Sequence, residues 1–305
     1  MIRCAGREDL PQLTALWSVC FGDSEEEIGA FWKLLSGKAR VFCAREGKSV
    51  VSMACALPVQ LVDAQGESHP AAYLYAVGTA PAYRRRGLCA QVLSFAEDDL
   101  RKSGAEYALL VPSSPSLFEF YQKLGYRTAF YRAREEISVP ACAGTVSRIG
   151  AEEYFNLREL LLFENFISCG PEFLAYQAVT DRLYRIETRD RLFCAVCSEA
   201  GGRLRIKELL PYEPAAAALL LQSLGCAGGD CLAPGGIDSL RNVQVAAGRP
   251  SSGGRLSGAC AGLSLPYQYL LNFRSTWPCA QRSSGCVSSP SAAARQARSS
   301  CAACP

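Results

Sequence analysis

The stretch that decides the fold is Val77-Gly78-Thr79-Ala80-Pro81-Ala82-Tyr83-Arg84-Arg85-Arg86-Gly87-Leu88-Cys89-Ala90. Its pattern predicts a buried strand that runs through an arginine-rich loop into the start of a helix. The first turn of a helix offers unpaired backbone N–H groups and the positive end of the helix dipole, and arginines add charge-assisted hydrogen bonds. The stretch is therefore suited to binding a pyrophosphate, whereas three arginines in a row are otherwise typical of a solvent-exposed charged loop.

The sequence on both sides of this stretch predicts an ααβββαβαββ order of elements over residues 1 to about 140. Ser24 followed by three glutamates is typical of a helix N-cap and first turn. The predicted helices are 7–20, 24–35, 87–104 and 117–124, and the predicted strands are 40–45, 50–62, 73–77, 107–111, 126–130 and 135–139. The arginine-rich loop thus joins the third strand to the third helix.

Two motifs in this region resemble the signatures of the GNAT N-acetyltransferases. Arg84-Arg85-Arg86-Gly87-Leu88-Cys89 is similar to the family's phosphate-binding run of Arg or Gln, two variable residues, Gly, one variable residue, then Gly or Ala. Cys89 is the one departure. Phe120-Tyr121-Gln122-Lys123-Leu124-Gly125-Tyr126 is similar to the second signature, an aromatic-Tyr-x-Lys-x-Gly-aromatic run on the following helix. Both motifs occur in the expected order of elements.

The resemblance implies an α+β fold (α/β three-layer) with a mixed central sheet. Acetyl-CoA would bind between two splayed parallel strands, 73–77 and 107–111. The implied activity is acetyl-CoA-dependent N-acetyl transfer to a primary amine by direct attack on the thioester. The residues implied to bind the cosubstrate are Val77, Gly78, Thr79, Arg84, Arg85, Arg86, Gly87, Leu88, Cys89, Ala90 and Ser114.

The implied catalytic residue is Tyr121, whose phenol could protonate the leaving thiolate as a general acid. Tyr121 also lies on an apolar i, i+3, i+4, i+7 stripe, so core packing is its alternative role. Ser114 stands where many family members have Asn, and a helix N-cap is its equally plausible alternative. The general base is left open between a water relay and a carboxylate such as Glu26 or Glu119, because the single histidine, His69, is expected at a distant hairpin end.

The second half of the chain predicts a degenerate GNAT-like unit over residues 146–238. Its predicted order is ααβββα, with helices at 151–163, 171–179 and 214–224 and strands at 183–188, 192–198 and 204–210. The loop at 211–215 corresponds to the phosphate loop but contains neither Arg nor Gly. By analogy with two-unit acyltransferases, including Eis-like aminoglycoside acetyltransferases, this unit would shape the acceptor pocket.

The last segment, 239–305, differs from the rest in composition. It holds seven Arg, no Lys and no acidic residue, and it is rich in Ser, Ala, Gly and Cys. We expect it to be mostly unfolded, because it has few large apolar side chains. It is either a cationic arm or sequence never selected as protein, such as the product of a shifted reading frame, and the five scattered cysteines favour the latter.

The composition excludes a wholly disordered chain, a collagen and a coiled coil. The 305 residues are 49% hydrophobic and 20% charged, as in a globular protein of about two domains. No segment resembles a signal peptide or a membrane span, so we expect a cytoplasmic protein with reduced thiols and no membrane partner. A four-thiolate zinc site would need Cys194, Cys197, Cys301 and Cys304 together; since Cys194 and Cys197 are expected on opposite faces of a strand, no metal is predicted.

Two other functions are alternatives to catalysis. A non-catalytic acyl-CoA-binding sensor or regulatory protein would keep the phosphate loop without turnover. A nucleic-acid binder would use the arginines of the last segment, but residues 1–238 are net acidic and would repel a phosphate backbone. The amine acceptor is left open among small polyamines, aminoglycosides, amino acids and protein amines, and the oligomeric state is not predicted.

Overall fold

The computed structural model describes residues 1–130, 132–163 and 165–234, and the backbone of 245–247. The helices are α1 (Leu10–Phe21), α2 (Glu25–Leu35), α3 (Leu88–Lys102), α4 (Pro115–Lys123), α5 (Ala151–Leu161), α6 (Pro171–Gln177) and α7 (Pro214–Ser223). The first strands are β1 (Ile2–Cys4), β2 (Arg40–Glu46), β3 (Ser49–Val62), β4 (Ser68–Thr79), β5 (Tyr107–Leu110), β6 (Arg127–Phe130) and β7 (Arg132–Glu136). The others are β8 (Gly144–Arg148), β9 (Phe166–Ser168), β10 (Arg182–Thr188), β11 (Leu192–Ala200), β12 (Arg203–Leu210), β13 (Gly228–Pro234) and β14 (Val245–Ala247).

The strands form two mixed sheets. The first has the order β1-β2-β3-β4-β5-β14-β6, with β9 paired to β3, and the second has the order β7-β13-β12-β11-β10-β8. Each sheet contains one parallel pair, β4 with β5 in the first and β12 with β13 in the second. A helix joins the two strands of each parallel pair, α3 in the first sheet and α7 in the second, as parallel pairing requires. The two sheets therefore repeat one strand–helix–strand arrangement.

Helices cover both faces of each sheet. Helices α3 and α4 pack on one face of the first sheet, where Val92 and Leu117 are buried with β-strand residues. A second buried cluster joins the two sheets through α1, α2, α5 and α6, and it includes Trp17, Tyr154 and Val196. Helix α7 covers the far face of the second sheet. Among the described residues, no helix has the length and apolar character needed to cross a bilayer.

Local sequence explains where α1 ends and where α2 begins. Gly22 ends α1 in the left-handed conformation at φ 69°, which favours glycine. Ser24 then starts α2 with a capping box, in which its Oγ accepts a hydrogen bond from the backbone N–H of Glu27 and the Glu27 carboxylate accepts one from the N–H of Ser24. The predicted N-cap at Ser24 is confirmed.

Several strands differ from the expectations. The predicted strand at 135–139 is wrong in position, because β7 is Arg132–Glu136, and it pairs with β13 in the second sheet. Strands β1, β8, β9 and β13 were not predicted, since short strands carry little periodic signal. Strand β14 lies within the segment expected to be unfolded, and its backbone pairs with β5 and β6. The rest of that segment, 239–244 and 248–305, lies outside the described residues.

The cysteines in the described part of the chain are free thiols. Cys194 packs in the cluster that joins the two sheets, whereas Cys197 packs under α7 on the opposite face of β11. The expectation that these two thiols point to opposite faces is confirmed. Burial raises the pKa of both thiols well above the ordinary value. Cys301 and Cys304 lie outside the described residues.

Candidate active site

The parallel strands β4 and β5 separate along their length. They pair from Ala71 with Tyr107 to Tyr73 with Leu109, and the pairing stops there. On its other side β4 contains a bulge, because Tyr75 to Gly78 oppose Cys55 to Met53 with one extra residue on β4. Ala76 adopts a positive φ of 50°, a conformation that is costly for alanine. The bulge turns β4 away from β5 and opens a gap beyond Tyr73.

A cavity of about 90 Å³ occupies this gap. Its lining residues come from α1, β4, β5, α4 and the loops that follow α1 and β5. They are Trp17, Phe21, Asp23, Tyr73, Leu74, Tyr75, Ala76, Val77, Leu110, Val111, Ser113, Leu117 and Tyr121. The cavity therefore reaches from the helices on one face of the sheet to those on the other face.

Tyr121 lines this cavity on the α4 side. It is only 5% exposed, and its ring packs edge-on against Phe120 and Tyr126, with centroids 5.1 and 5.6 Å away. The residue thus lies both on the apolar stripe of α4 and on the wall of the cavity. The geometry is compatible with either of the roles that the sequence suggested.

The arginine-rich loop borders a second, smaller cavity at the start of α3. The residues around it are Thr79, Tyr83, Arg84, Arg85, Gly87, Leu88, Cys89, Ala90 and Phe120. Arg84 Nε donates to the carbonyl oxygen of Thr79 at 3.1 Å and so ties the loop to the end of β4. Arg85 is exposed and has a positive φ of 61°. The loop carries cationic groups at a helix N-terminus, as the motif predicted.

Two residues of the motif, Gly87 and Cys89, lie at the start of α3. Gly87 is the N-cap of α3 with φ 75°, which a residue with a Cβ adopts only with strain. The first hydrogen bond within the helix runs from the N–H of Gln91 to the carbonyl of Gly87, so the N–H groups of Leu88, Cys89 and Ala90 precede it. The Cys89 side chain is 5% exposed and packs in the core under α3.

Arg86 is held over the loop by several contacts. One guanidinium nitrogen donates to the carbonyl of Ala82 at 3.1 Å, another lies 3.8 Å from a carboxylate oxygen of Glu46, and the guanidinium carbon is 4.9 Å from the centroid of the Tyr83 ring. These contacts are all at the protein surface and leave the cationic group exposed. Arg85 and Arg86 both face solvent, where an anionic ligand can reach them.

The other candidate residues lie outside the main cavity. Ser114 is the N-cap residue of α4 without a side-chain cap bond, its Oγ is 3.0 Å from that of Ser116, and its neighbour Ser113 lines the cavity instead. Glu26 and Glu119 are exposed and do not line it. Within the described chain, the structure thus brings together Val77 and Tyr121 at the main cavity and residues 84–90 at the loop.

His69 lies near the start of β4, at the end where this strand is still close to β5. Its ring nitrogens are 3.1 Å from Asp63 Oδ2 and 3.1 Å from Glu106 Oε2. The hydrogen bond with Asp63 is the largest cause that raises the pKa of His69, and the same bond lowers the pKa of Asp63. The expected position at a distant hairpin end agrees with this arrangement.

The sequence did not point to three residues on the α1 side of the cavity. Trp17 and Phe21 belong to the apolar side of α1, and Asp23 lies in the short connection to α2. Trp17 Nε1 donates to Asp23 Oδ2 at 2.8 Å. The available signal was the Trp17 and Asp23 pair at i, i+6 across Gly22, but helical spacing alone indicated core packing for Trp17.

The comparisons with solved structures define the class of fold. A conserved protein of unknown function from Enterococcus faecalis V583, described as a probable N-acyltransferase, aligns with a TM-score of 0.66 at 19% identity over 81% of this chain and 71% of that chain. Eis1 from Mycobacterium abscessus aligns with a TM-score of 0.58 at 16% identity, over 78% and 67% of the two chains. A tandem GNAT protein from the clavulanic acid biosynthesis pathway gives 0.54 at 12% identity, over 83% and 99%. The chain has the fold of these acyltransferases.

The family follows from the sequence of the first unit. Residues 1–129 match the family model described as an acetyltransferase (GNAT) domain. This match assigns a GNAT domain to the first unit, and the predicted fold class, a GNAT-type mixed sheet followed by a second GNAT-like unit, is confirmed. No curated protein sequence matches the chain at a significant level.

Proposed function

We propose that this chain is an acetyl-CoA-dependent N-acetyltransferase that transfers the acetyl group to a primary amine by direct attack on the thioester. The observation that carries the proposal is the cavity between the separating strands β4 and β5, with Tyr121 on its wall. The arginine-rich loop at the start of α3 follows directly from the end of β4. One strand thus supplies both the cavity and the loop.

The residues present fit acetyl-CoA. The pyrophosphate needs hydrogen-bond donors and positive charge, which the N–H groups of Leu88 to Ala90 and the exposed Arg85 and Arg86 supply. The pantetheine arm needs an extended strand edge, and β4 offers one beyond Tyr73, where its pairing with β5 has ended. Acetyl-CoA supplies a thioester carbonyl as the electrophile.

The residues around the gap have distinct chemical tasks. The backbone N–H of Val77, at the β4 bulge, donates to the carbonyl oxygen as negative charge develops there. The neutral amine of the acceptor would form the C–N bond as the C–S bond breaks, and the leaving sulfur would take the Tyr121 proton. The nitrogen would release one proton to water, and Tyr121 would regain one proton from water. Burial raises the pKa of the neighbouring Tyr73 well above its ordinary value, so that phenol stays neutral.

Tyr121→Phe tests this function directly. The change removes one hydroxyl and keeps the ring in the core, so we expect kcat to fall by about 10²–10⁴, the usual contribution of a positioned proton donor. The affinity for acetyl-CoA should hardly change. The measurement is thiol release from acetyl-CoA with a panel of amines, together with calorimetric binding of acetyl-CoA.

The matched control is Tyr184→Phe, which removes a hydroxyl from a buried tyrosine in the second sheet. It should leave kcat unchanged. The loss in Tyr121→Phe should also shrink with an acyl donor whose thiol leaves readily without protonation. A wild-type kcat in Tyr121→Phe would show that Tyr121 only packs in the core. Binding of acetyl-CoA without thiol release for any amine would favour an acyl-CoA sensor.

A further inference from the structure

The α1 side of the main cavity has a distinct chemical character. Its wall combines the aromatic side chains of Trp17, Phe21 and Tyr75 with one carboxylate, Asp23. This is the side of the sheet opposite to α4 and Tyr121, because Trp17 and Tyr75 pack in the cluster of α1 and α2, whereas Tyr121 packs in the cluster of α3 and α4. A molecule that enters from the α1 side therefore meets these residues before it reaches Tyr121.

The aromatic wall is closely packed. The Trp17 ring packs edge-on against the rings of Tyr75 and Phe31, with centroids 5.6 and 4.7 Å away, and Phe31 stacks on Tyr75 at 5.7 Å. The Tyr75 hydroxyl lies 3.3 Å from that of Tyr176 on α6. Rings packed in this way offer an apolar surface for a flat or branched group, and the faces of the rings attract a nearby cation.

The charges around the cavity have one sign. Asp23 is the one ionisable carboxylate among its lining residues, and none of these residues is Lys, Arg or His. The Trp17 indole N–H, 2.8 Å from Oδ2, fixes the orientation of the Asp23 carboxylate. An ammonium group is therefore attracted to this wall, whereas a carboxylate on the same molecule would find no cationic partner among the lining residues and would lose its hydration.

We infer that the acceptor is a primary monoamine with an aromatic or branched apolar body and no carboxylate, that is, an arylalkylamine or a close analogue. This inference rests on the proposed function. Asp23 binds the ammonium group, which loses one proton to water before the neutral nitrogen attacks the thioester, and the apolar body lies against Trp17 and Tyr75. A polyamine or an aminoglycoside would bring several cations to a wall with one carboxylate, and the others would be desolvated without partners.

The test is an acceptor panel assayed by thiol release from acetyl-CoA. Phenethylamine is the expected substrate. Phenylalanine adds a carboxylate to the same skeleton, spermidine adds charges, and Nα-acetyl-lysine amide represents protein amines. We expect kcat/KM for phenethylamine to exceed that of each of the others by about tenfold or more. Phenylalanine and spermidine each leave a charged group without its hydrogen bonds, and the lysine amide places polar amide groups against the aromatic wall.

Asp23→Asn should raise KM for phenethylamine by about 10- to 100-fold, the contribution of one charge-assisted hydrogen bond, with little change in acetyl-CoA affinity. Asparagine keeps an oxygen for the Trp17 N–H, and Asp23→Glu, which keeps the charge, should recover part of the loss. The matched control is Glu25→Gln on the exposed start of α2, which removes the same charge outside the cavity and should leave KM unchanged.

Two results would overturn the inference alone. One is a preference for spermidine or the lysine amide, and the other is an unchanged KM for phenethylamine in Asp23→Asn. If no amine is acetylated while acetyl-CoA binds, the proposed function fails and the inference fails with it. Calorimetric binding of acetyl-CoA by each variant shows that its first unit is folded, so a lost activity is read at the acceptor side.

Discussion

The parallel strand pairs of the two sheets share a design and differ in what lies where the strands part. In the first sheet, β4 has a bulge around Ala76, and its pairing with β5 ends at Tyr73. In the second sheet, β12 has an extra residue at Lys207, because Ile206 opposes Cys197 and Glu208 opposes Val196. Its parallel pairing with β13 ends at Ile206. Both strands therefore bend at corresponding places.

Protein side chains occupy the corresponding region of the second sheet. Arg132, from the strand on the other side of β13, donates to the carbonyl oxygen of Lys207 at 2.8 Å. The Lys207 ammonium is 1% exposed and bonds both oxygens of Asp181, at 2.7 and 2.9 Å. The next residue, Glu208, accepts hydrogen bonds from Tyr154 at 2.8 Å and from Arg158 Nε at 3.1 Å. Charged side chains of the protein itself thus bond to one another and to the backbone at this bend.

The loops that follow β4 and β12 also differ in composition. The first contains three arginines and Gly87 before α3, whereas the second passes through Tyr212 and Glu213 directly into Pro214 at the start of α7. Separation of the parallel strands is therefore a property of the fold, because both sheets show it. A cosubstrate site needs in addition an unfilled gap and a cationic loop, and the first unit alone combines them within the described residues.

The largest loss of stability is expected when one member of a buried ion pair in the second unit loses its charge. Glu208→Gln removes the buried charged partner of the Arg158 guanidinium, which is 0% exposed, and leaves the partly exposed Glu159 carboxylate at 3.7 Å as a weaker partner. We expect the free energy of unfolding to fall by about 3–5 kcal/mol, as for a buried pair that loses one member. Urea unfolding measures it, and acetyl-CoA affinity at a temperature where the variant stays folded should be unchanged.

Two further variants sharpen this prediction. Asp98→Asn removes one partner of the exposed pair with Arg101 on α3 and should change stability by less than about 1 kcal/mol. Arg158→Met combined with Glu208→Leu replaces both charges by apolar groups and should recover most of the loss, because no buried charge is left unpaired. A Glu208→Gln variant as stable as Asp98→Asn would show that the buried charges do not hold this region.

A smaller effect is expected at the closed end of the β4 and β5 pair. There the pKa of His69 is raised above its ordinary value of 6.5, first by the hydrogen bond with Asp63 and further by Glu106. Because the folded protein binds the proton more tightly, this stabilisation is fully present below about pH 6.5, the pKa of an unfolded histidine, and is lost as the pH rises through the folded pKa.

His69→Gln should therefore remove a pH dependence of about 0.2–1 kcal/mol, the range of exposed ion pairs. Urea unfolding of both proteins from pH 5.5 to pH 8.5 tests it. The wild type should lose its advantage over the variant as the pH rises. A stability difference between the two proteins that is constant across this range would exclude a charged His69 from the stabilisation.

The sequence predicted the parts of the site that depend on local chemistry. The arginine-rich loop, Gly87 and the capped start of α2 follow from residues close together in the chain, and all appear where they were expected. The position of β7 did not follow, because its pairing with β13 depends on residues almost 100 positions apart, such as Arg134 with Asp230. Long-range pairing leaves little trace in local periodicity.

The proposed acceptor side of the cavity was not predictable for a similar reason. The sequence predicts Trp17 and Phe21 to be ordinary core residues of an amphipathic helix, and Asp23 to be a polar residue of a short connection. Their joint position on the cavity wall depends on the gap beside the bulge at Ala76, where β4 and β5 no longer pair. A positive φ at alanine has no sequence signal, since it is imposed by the surrounding structure.

The most direct test of the account is the affinity for acetyl-CoA when each unit loses two exposed arginines. Arg85→Ala with Arg86→Ala removes cations from the loop before α3, and Arg189→Ala with Arg191→Ala removes the same charge from an exposed turn of the second unit. We predict that the first pair raises the calorimetric Kd by about tenfold or more, since hydrogen bonds to charged groups are at stake, and that the second pair leaves it unchanged. An unchanged Kd in the first pair, or an equal loss in both, would contradict the claim that the first unit alone holds the cosubstrate.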